Sequence, residues 1–154
     1  MLQGYFINRV KKKGVDRMGT SLKDQALEIL KKHHIGVMAT VSNGKPHSSY
    51  MTFAHKQFTL YTVTPKEAEK VEALRKNPHT HILYGYENEE LSQTFLEIEG
   101  TVSEVQDDEM KERVLSKLHP KYEKDAASML LLKIEPTRLR FMNKSGDNRE
   151  EVTV

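Results

Sequence analysis

Residues 35–63 read IGVMATVSNGKPHSSYMTFAHKQFTLYTV and contain three β-rich runs separated by two short polar connections. The first two runs flank Asn43 and Gly44, the residue pair most typical of a two-residue β-hairpin. Parallel neighbours would need a crossover of a dozen or more residues, which these connections cannot supply. The stretch therefore predicts an antiparallel meander with strands at 35–41, 46–53 and 58–63.

Further strands are predicted downstream of this meander. The segment 79–86 reads as a strand, and 94–105 alternates inward Leu96, Ile98 and Val102 with outward Glu97, Glu99 and Thr101. Val105 falls out of phase, which predicts a bulge near Gly100. Residues 129–143 predict two last strands kinked apart at Pro136. Six or seven short antiparallel strands usually close on themselves, so the expected fold class is mainly β (α+β), a small antiparallel barrel with flanking helices.

Three amphipathic helices are predicted around the strands. The second is expected to start at Thr64, because Thr64, Pro65 and Glu67 together match a capping box followed by proline at the first helical position. The third begins with an aspartate cap. The predicted helices cover about 21–34, 64–76 and 107–120.

The composition is that of a soluble globular protein of one domain. The chain has 154 residues, 37% hydrophobic and 30% charged, and no apolar run approaches the roughly 20 residues of a membrane span. The absence of cysteine excludes disulfides and thiolate nucleophiles, and it is compatible with a reducing compartment. We therefore expect a cytoplasmic protein without a membrane partner.

The two ends of the chain are expected to lie outside the folded domain, 18–143. Residues 1–17 carry five basic side chains and one acidic side chain, whereas the rest of the chain carries a net charge of −2. The leader is interpreted either as a non-native extension before a true start at Met18, or as a disordered basic arm. The tail, 144–154, is expected to be disordered.

Sequence motifs exclude several kinds of site. The chain has no G-x-G-x-x-G, no G-x-x-x-x-G-K-[ST] and no glycine-flanked serine elbow. His79 and His81 would share one face of a strand, but no third ligand is evident by spacing, so no metal site is predicted. The near-neutral body argues against a nucleic-acid partner.

A phosphate site is one interpretation of Thr62, Lys66 and Lys70. Two lysines four apart would place like charges on one helical face, an arrangement best tolerated beside an anion. A strand-end hydroxyl near a lysine in the next helix can hold phosphate through charge-assisted hydrogen bonds. The alternative is that Glu67 and Glu69 simply neutralise the lysines.

The neighbouring strand favours a flat ring attached to that phosphate. It brings the hydroxyls of Ser48, Ser49, Tyr50 and Thr52 next to apolar Met51 and Phe53. A heteroaromatic ring needs polar partners at its edge and apolar cover for its face.

Four motifs occur in an order and spacing that resemble the pyridoxamine 5′-phosphate oxidase-like, FMN-binding split-barrel family, particularly its general stress protein subgroup. The motifs are IGVMATVSNGKPHSSYMTF, FTLYTVTPKEAEKVEALRKNPHTHILYGY, FLEIEGTV and LLLKIEPTRLRFMN, and the resemblance covers about 22–143. It implies a split barrel and a homodimer with FMN bound at each subunit interface.

The resemblance also implies cofactor-binding residues. The segment Ser49, Tyr50, Met51 and Thr52 matches the strand whose backbone lines the flavin, and Thr62 and Lys70 match phosphate ligands, with Tyr61 beside them and Lys66 as a second possible cation. Ser49 stands where the family commonly has arginine, and Ala68 and Glu69 replace a serine and an arginine. Fewer cations imply weaker FMN binding.

The implied function is that of a flavin-dependent oxidoreductase of general stress protein type. The chain lacks the longer C-terminal segment by which the true oxidases hold pyridoxal phosphate, so that activity is not expected. No side chain is a convincing acid, base or nucleophile, and no catalytic residue is predicted. The alternative is a non-catalytic binding module for a flavin, haem or another phosphorylated ring, with His47, His55 or His81 as a haem ligand.

Overall fold

The structure is a computed structural model that describes residues 21–91, 93–118, 126–146 and 150–154. The predicted leader, 1–17, and Met18 lie outside these residues. Within them the helices and strands are α1 (Leu22–Lys32), β1 (Ile35–Ser42), β2 (Lys45–Lys56), β3 (Thr59–Pro65), α2 (Glu69–Lys76), β4 (His79–Tyr84), β5 (Phe95–Val105), α3 (Asp108–Leu115), β6 (Met129–Met142) and β7 (Glu151–Val152). A short 3₁₀ turn, Ala126–Ser128, precedes β6.

Six strands form a closed antiparallel barrel in the order β3-β2-β1-β4-β5-β6, and β3 pairs back with β6 to close it. The extra strand β7 adds to β6 through Leu139 and Arg140. Closure leaves fewer free strand edges than an open sheet would. The prediction of a mainly β, antiparallel barrel with flanking helices is confirmed.

The hairpin between β1 and β2 turns as its sequence predicts. Asn43 and Gly44 both have positive φ, 52° and 73°, as a type I′ turn requires of its two central residues. This turn fixes the register in which Ser42 faces Lys45 and Gly36 faces Met51. The meander of the first three strands is confirmed.

Strand alternation fills the barrel with apolar side chains. The largest fully buried ones include Phe53, Leu60, Ile82, Ile98 and Ile134. Helix α1 adds Ala26 and Leu30 to the same cluster. A second cluster lies outside the barrel, where α3 covers β3. It contains Ala54, Tyr61, Val63, Met110, Val114 and Leu131.

The bulge predicted near Gly100 is present. The register shifts there, since Glu99 faces Arg138 while Gly100 faces Pro136, and Thr137 is the extra residue. A Cβ on Gly100 would lie 2.7 Å from the side chain of Ile134. The prediction of two strands separated at Pro136 is wrong, because β6 runs through the proline as one bulged strand.

The predicted start of α2 at Thr64 is also wrong. Thr64 and Pro65 continue β3 and pair with Leu130 and Met129, so the helix begins only at Glu69. Its N-cap is Ala68, which offers no side-chain hydrogen bond. Strand pairing with β6 therefore overrides the local capping sequence.

The starts of α1 and α3 follow the capping residues in the sequence, whereas the prediction for the C-terminal tail is wrong. Ser21 caps α1 and Asp107 caps α3, each by accepting a backbone N–H hydrogen bond. The tail that was expected to be disordered contains β7, with Val152 2% exposed against the core. No helix in the described part of the chain is long and apolar enough to cross a membrane.

Candidate functional site

The barrel is split where β2 and β3 separate. Strand β2 pairs with β1 from Lys45 to Thr52, but it pairs with β3 only from Phe53 to Lys56. The opposite edge of β3 pairs with β6 from Leu60 to Pro65, so β3 diverges from β2 while it stays bound to β6. The outer edge of β2 from Lys45 to Thr52 consequently has no strand partner among the described residues.

One hydrogen bond shows which residues of β2 direct their backbone N–H and C=O groups to this open edge. The Phe53 N–H donates to the His34 carbonyl at 2.7 Å, on the β1 side. Because backbone groups alternate along an antiparallel strand, those of Ser48, Tyr50 and Thr52 face the opposite, open side. Pro46 faces the same side, where its missing N–H leaves no gap in the ladder with β1.

Helix α2 places Lys70 across the split from β2. The Lys70 ammonium donates to the Ser49 hydroxyl at 2.9 Å and lies 3.0 Å from the Met51 sulfur. Burial lowers the pKa of this half-buried ammonium below its usual value. No carboxylate of the described residues forms a salt bridge with it, so Lys70 is a partly desolvated cation without an anion.

A cleft of about 150 Å³ lies beside Lys70, between β1, β2 and the start of α2. Ser49, His47 and Thr40 contribute to its polar lining, and Glu69 lies at its border with a second cleft of about 230 Å³. The Ser42 hydroxyl lies 3.4 Å from a carboxylate oxygen of Glu69. Sequence reasoning named His47 only as a possible haem ligand and did not find Thr40 and Ser42, because their grouping depends on where the barrel opens.

Five of the predicted residues meet at the split. Ser49 and Met51 contact Lys70, and the Thr62 hydroxyl donates to the backbone carbonyl of Thr52 at 2.7 Å. Thr62 is fully buried, and its hydroxyl proton is engaged in the bond to Thr52, so that proton is not free to bind a ligand.

The other predicted residues lie elsewhere. Tyr50 is 83% exposed on the outer face of the sheet, and Tyr61 packs in the cluster covered by α3. Lys66 is exposed ahead of the helix, and its backbone N–H donates to the Ser128 carbonyl. The prediction that Lys66 and Lys70 share one helical face is wrong, because α2 begins after Lys66.

A charged cluster occupies the outer face of β4, β5 and β6. Glu97 accepts from Arg140 Nε at 2.7 Å and lies 2.6 Å from His81 Nε2. Desolvation raises the pKa of Glu97, but the bonds from His81 and Arg140 together outweigh it and hold the pKa below its usual value. Glu97 points outward as predicted, but His81 and Arg140 leave it only 9% exposed. Among the described residues, no three His, Cys, Asp or Glu side chains are grouped to hold a metal.

A sequence model of the pyridoxamine 5′-phosphate oxidase family matches residues 22–143. This chain belongs to that family. General stress protein 26 from Bacillus subtilis is 40% identical over 124 residues, which are 79% of this chain and 89% of that protein. The sequence resemblance to this family and to its general stress proteins is therefore confirmed.

Solved structures of the pyridoxamine 5′-phosphate oxidase family share the split barrel. General stress protein 26 from Bacillus anthracis has a TM-score of 0.71 at 27% identity, over 86% of this chain and 98% of that one. A protein from Listeria innocua that bears the oxidase family's name has a TM-score of 0.70 at 38% identity, over 80% and 99%.

More distant structures show only that the fold is shared. A haem-binding protein from Mycobacterium smegmatis has a TM-score of 0.70 at 19% identity, over 85% of this chain and 57% of its own. An FAD-binding protein from Mesorhizobium loti has a TM-score of 0.62 at 17% identity, over 75% and 89%. The family's barrel thus occurs in proteins named for different ring cofactors.

Proposed function

We propose that this protein binds FMN at the split of the barrel and acts as a flavin-dependent oxidoreductase of the general stress protein type. One observation carries the proposal: Lys70 is a partly buried cation to which no carboxylate of the described residues forms a salt bridge, and it lies beside an open strand edge. Such a cation is stabilised by an anionic ligand more than by water alone, because its surroundings are already partly desolvated.

The residues at the split fit the phosphate end of the cofactor. Lys70 would supply the positive charge and Ser49 a hydroxyl. The first N–H groups of α2 are additional donors, since Ala68 provides no side-chain cap. Thr62 fits less simply, because its proton is donated to the Thr52 carbonyl and only its lone pairs remain. Lys66 is exposed and is the weaker of the two candidate cations.

The open edge of β2 fits the ring. Ser48 and Tyr50 direct backbone donors and acceptors to that edge, and Thr52 directs its N–H there while its carbonyl accepts from Thr62. The ring's polar atoms need such partners. Met51 supplies apolar surface from the same strand, while the side chain of Thr52 lies on the opposite face. When bound, a flavin supplies hydride and single-electron chemistry. The chain's residues would position it and exclude water, and none is assigned as an acid or base.

We infer that the protein is a cytoplasmic homodimer that uses the uncovered outer face of β2, β1 and β4. Tyr50, Ile35 and Leu83 are large apolar side chains exposed there, and strand pairing places Val37 between Tyr50 and Leu83. Contiguous exposed apolar side chains on a soluble protein mark an interaction surface. Light scattering is expected to give twice the 17.8 kDa of one chain, and a monomer at micromolar concentration would refute the dimer.

Flavin fluorescence tests the cofactor proposal. Titration of FMN with the protein should quench the fluorescence, and Lys70→Ala should weaken binding at least about tenfold, the loss of one charge-assisted hydrogen bond. Lys66→Ala is the matched control, with an expected change of under about threefold, because that side chain is exposed. Unquenched FMN at high protein concentration would reject the proposal.

A second candidate function is that of a non-catalytic module that binds haem or another phosphorylated ring. His47 favours it, because its imidazole lines the cleft and the described residues give that side chain no hydrogen bond or ion pair. The other two histidines proposed as haem ligands are engaged, His55 near the Gln57 carbonyl and His81 with Glu97. A Soret band on haem addition that disappears in His47→Ala would support this function over the first.

A further inference from the structure

Lys70 has the surroundings of a nucleophilic amine. Its side chain is half-buried, and burial lowers the pKa of the ammonium below its usual value of 10.5. At neutral pH a larger fraction of Lys70 is therefore the free amine than of a lysine with the usual pKa. The free amine is the form that attacks carbonyl groups, and desolvation is one way in which proteins activate lysine as a nucleophile.

The contacts of Lys70 do not fix it in the charged form. Its nitrogen contacts the Ser49 hydroxyl at 2.9 Å and the Met51 sulfur at 3.0 Å, and both partners are uncharged. The other ionisable side chains that line the cleft beside it are Glu69 and His47, and neither forms an ion pair with it. Loss of the ammonium proton thus breaks no salt bridge in the described part of the chain.

The cleft of about 150 Å³ brings further reactive groups close to Lys70. Ser49 lines it, and a hydroxyl that accepts from an ammonium can donate to a carbonyl oxygen once the lysine is neutral. His47 also lines it, and a neutral imidazole can accept the proton that the ammonium loses. An amine, a hydroxyl donor and an imidazole therefore surround one cavity, as acyl transfer to an amine requires.

We propose that Lys70 is a site of covalent modification, at which its amine takes the acyl group of an acyl phosphate. This class of reagent joins a small carbonyl electrophile to a phosphate, which the ammonium attracts before it loses its proton. The amine nitrogen then forms a bond to the carbonyl carbon, and the bond from that carbon to the phosphate oxygen breaks. Inorganic phosphate leaves with the electron pair, the nitrogen releases its second proton to solvent, and a neutral amide remains.

Acylation of Lys70 would remove the positive charge at the split of the barrel. The amide nitrogen keeps one N–H donor where the ammonium has three. The reactivity of the lysine does not depend on what the split binds, whereas the effect on FMN rests on the proposed function. Under that function the acylated protein binds FMN as weakly as a variant with a neutral polar side chain at this position.

Peptide mapping by mass spectrometry tests the modification after the full-length protein, without added FMN, is treated with acetyl phosphate. Lys70 should be acetylated at least about threefold faster than Lys66, the exposed lysine of the same connection. A lowered pKa also weakens a nucleophile, but in thiols this cancels only about half of the gain on a logarithmic scale. The rate at Lys70 should stop rising with pH below 10.5.

Lys70→Arg is the matched variant, because it keeps the positive charge but has no reactive amine. Brief treatment with acetyl phosphate should weaken FMN binding by the wild type to the level of Lys70→Gln and leave that of Lys70→Arg unchanged. Acetylation of Lys70 no faster than that of Lys66 would overturn the inference and leave the flavin function intact. Rapid acetylation that saturating FMN does not slow would support the modification and overturn the proposed FMN site.

Discussion

The hydroxyl of Thr62 donates to the backbone carbonyl of Thr52 at the point where β2 and β3 separate. The last residue pair before the gap joins Phe53 to Thr62, so this side chain replaces the backbone bond that the next pair would have made. A side-chain bond of this kind holds the two strands together at the edge of the split. Thr62 therefore has a structural role in addition to its proposed contact with phosphate.

Thr62→Val should destabilise the protein by about 1 kcal/mol, because it removes the donor of a partly buried hydrogen bond to the Thr52 carbonyl. Urea unfolding monitored by circular dichroism measures the change. Thr62→Ser keeps the hydroxyl and should lose less. Equal free energies of unfolding for the valine variant and the wild type would show that the bond contributes nothing to stability.

Lys70→Met is expected to leave the unliganded protein at least as stable as the wild type at pH 7. The pKa of Lys70 is lowered by burial in the folded state, so the charged form destabilises the fold below that pKa. This destabilisation disappears as the pH rises through the unfolded value, 10.5. The stability of the wild type relative to Lys70→Met should therefore increase as the pH rises from the folded pKa toward 10.5.

Thermal unfolding over this pH range tests the expectation, with Lys66→Met as the exposed control. A stability of the wild type relative to Lys70→Met that stays constant or falls as the pH rises would contradict it. Added FMN should stabilise the wild type more than Lys70→Met if the phosphate lies at this lysine.

Glu97→Gln should cost about 2 kcal/mol at pH 7, because the carboxylate accepts charge-assisted hydrogen bonds from Arg140 and His81. The folded pKa of Glu97 lies below its ordinary value, 4.5, so its contribution is present above about 4.5 and is lost as the pH falls through the folded value. The two proteins should converge in stability as the pH falls below the folded pKa of Glu97. A gap that stays constant into acid would show that Glu97 is not stabilised as an anion.

Gly100→Ala should destabilise the barrel by about 1–3 kcal/mol. The added Cβ would meet the Ile134 side chain at 2.7 Å and the Glu135 carbonyl at 2.8 Å, both across the bulge. Gly44→Ala is the control, since nothing lies within 4 Å of its Cβ and only its positive φ opposes alanine, at about 1 kcal/mol. Denaturant unfolding measures the free energy of unfolding of both variants. A smaller loss for Gly100→Ala than for Gly44→Ala would contradict the steric argument.

Most of the fold could be predicted from local signals. Asn43 and Gly44 set the hairpin, Asp107 caps α3, and the change of phase at Val105 indicated the bulge at Gly100. Each of these signals depends on residues close together in the chain. The prediction that α2 starts at Thr64 was wrong, because Thr64 and Pro65 pair with Leu130 and Met129. These partners lie about 65 residues away, and capping rules consider only residues close in the chain.

The candidate site was only partly predictable for the same reason. Lys70 and Ser49 were identified from the order of motifs, and the structure brings them together. Lys66 was grouped with Lys70 by helical spacing, which does not apply because β3 extends to Pro65. The buried environment of Glu97 depends on Arg140, which joins it only through the pairing of β5 with β6.

The edge of β2 that has no strand partner among the described residues also favours aggregation of the protein. Exposed backbone donors and acceptors form a template on which another extended chain can add a strand, the first step toward fibrous aggregates. Lys45 and Pro46 protect the start of this edge with a charge and a missing donor, but the backbone groups of Ser48 and Tyr50 have no such protection. A molecule bound along the edge would cover those groups, so the ligand of this site would also reduce self-association of the protein.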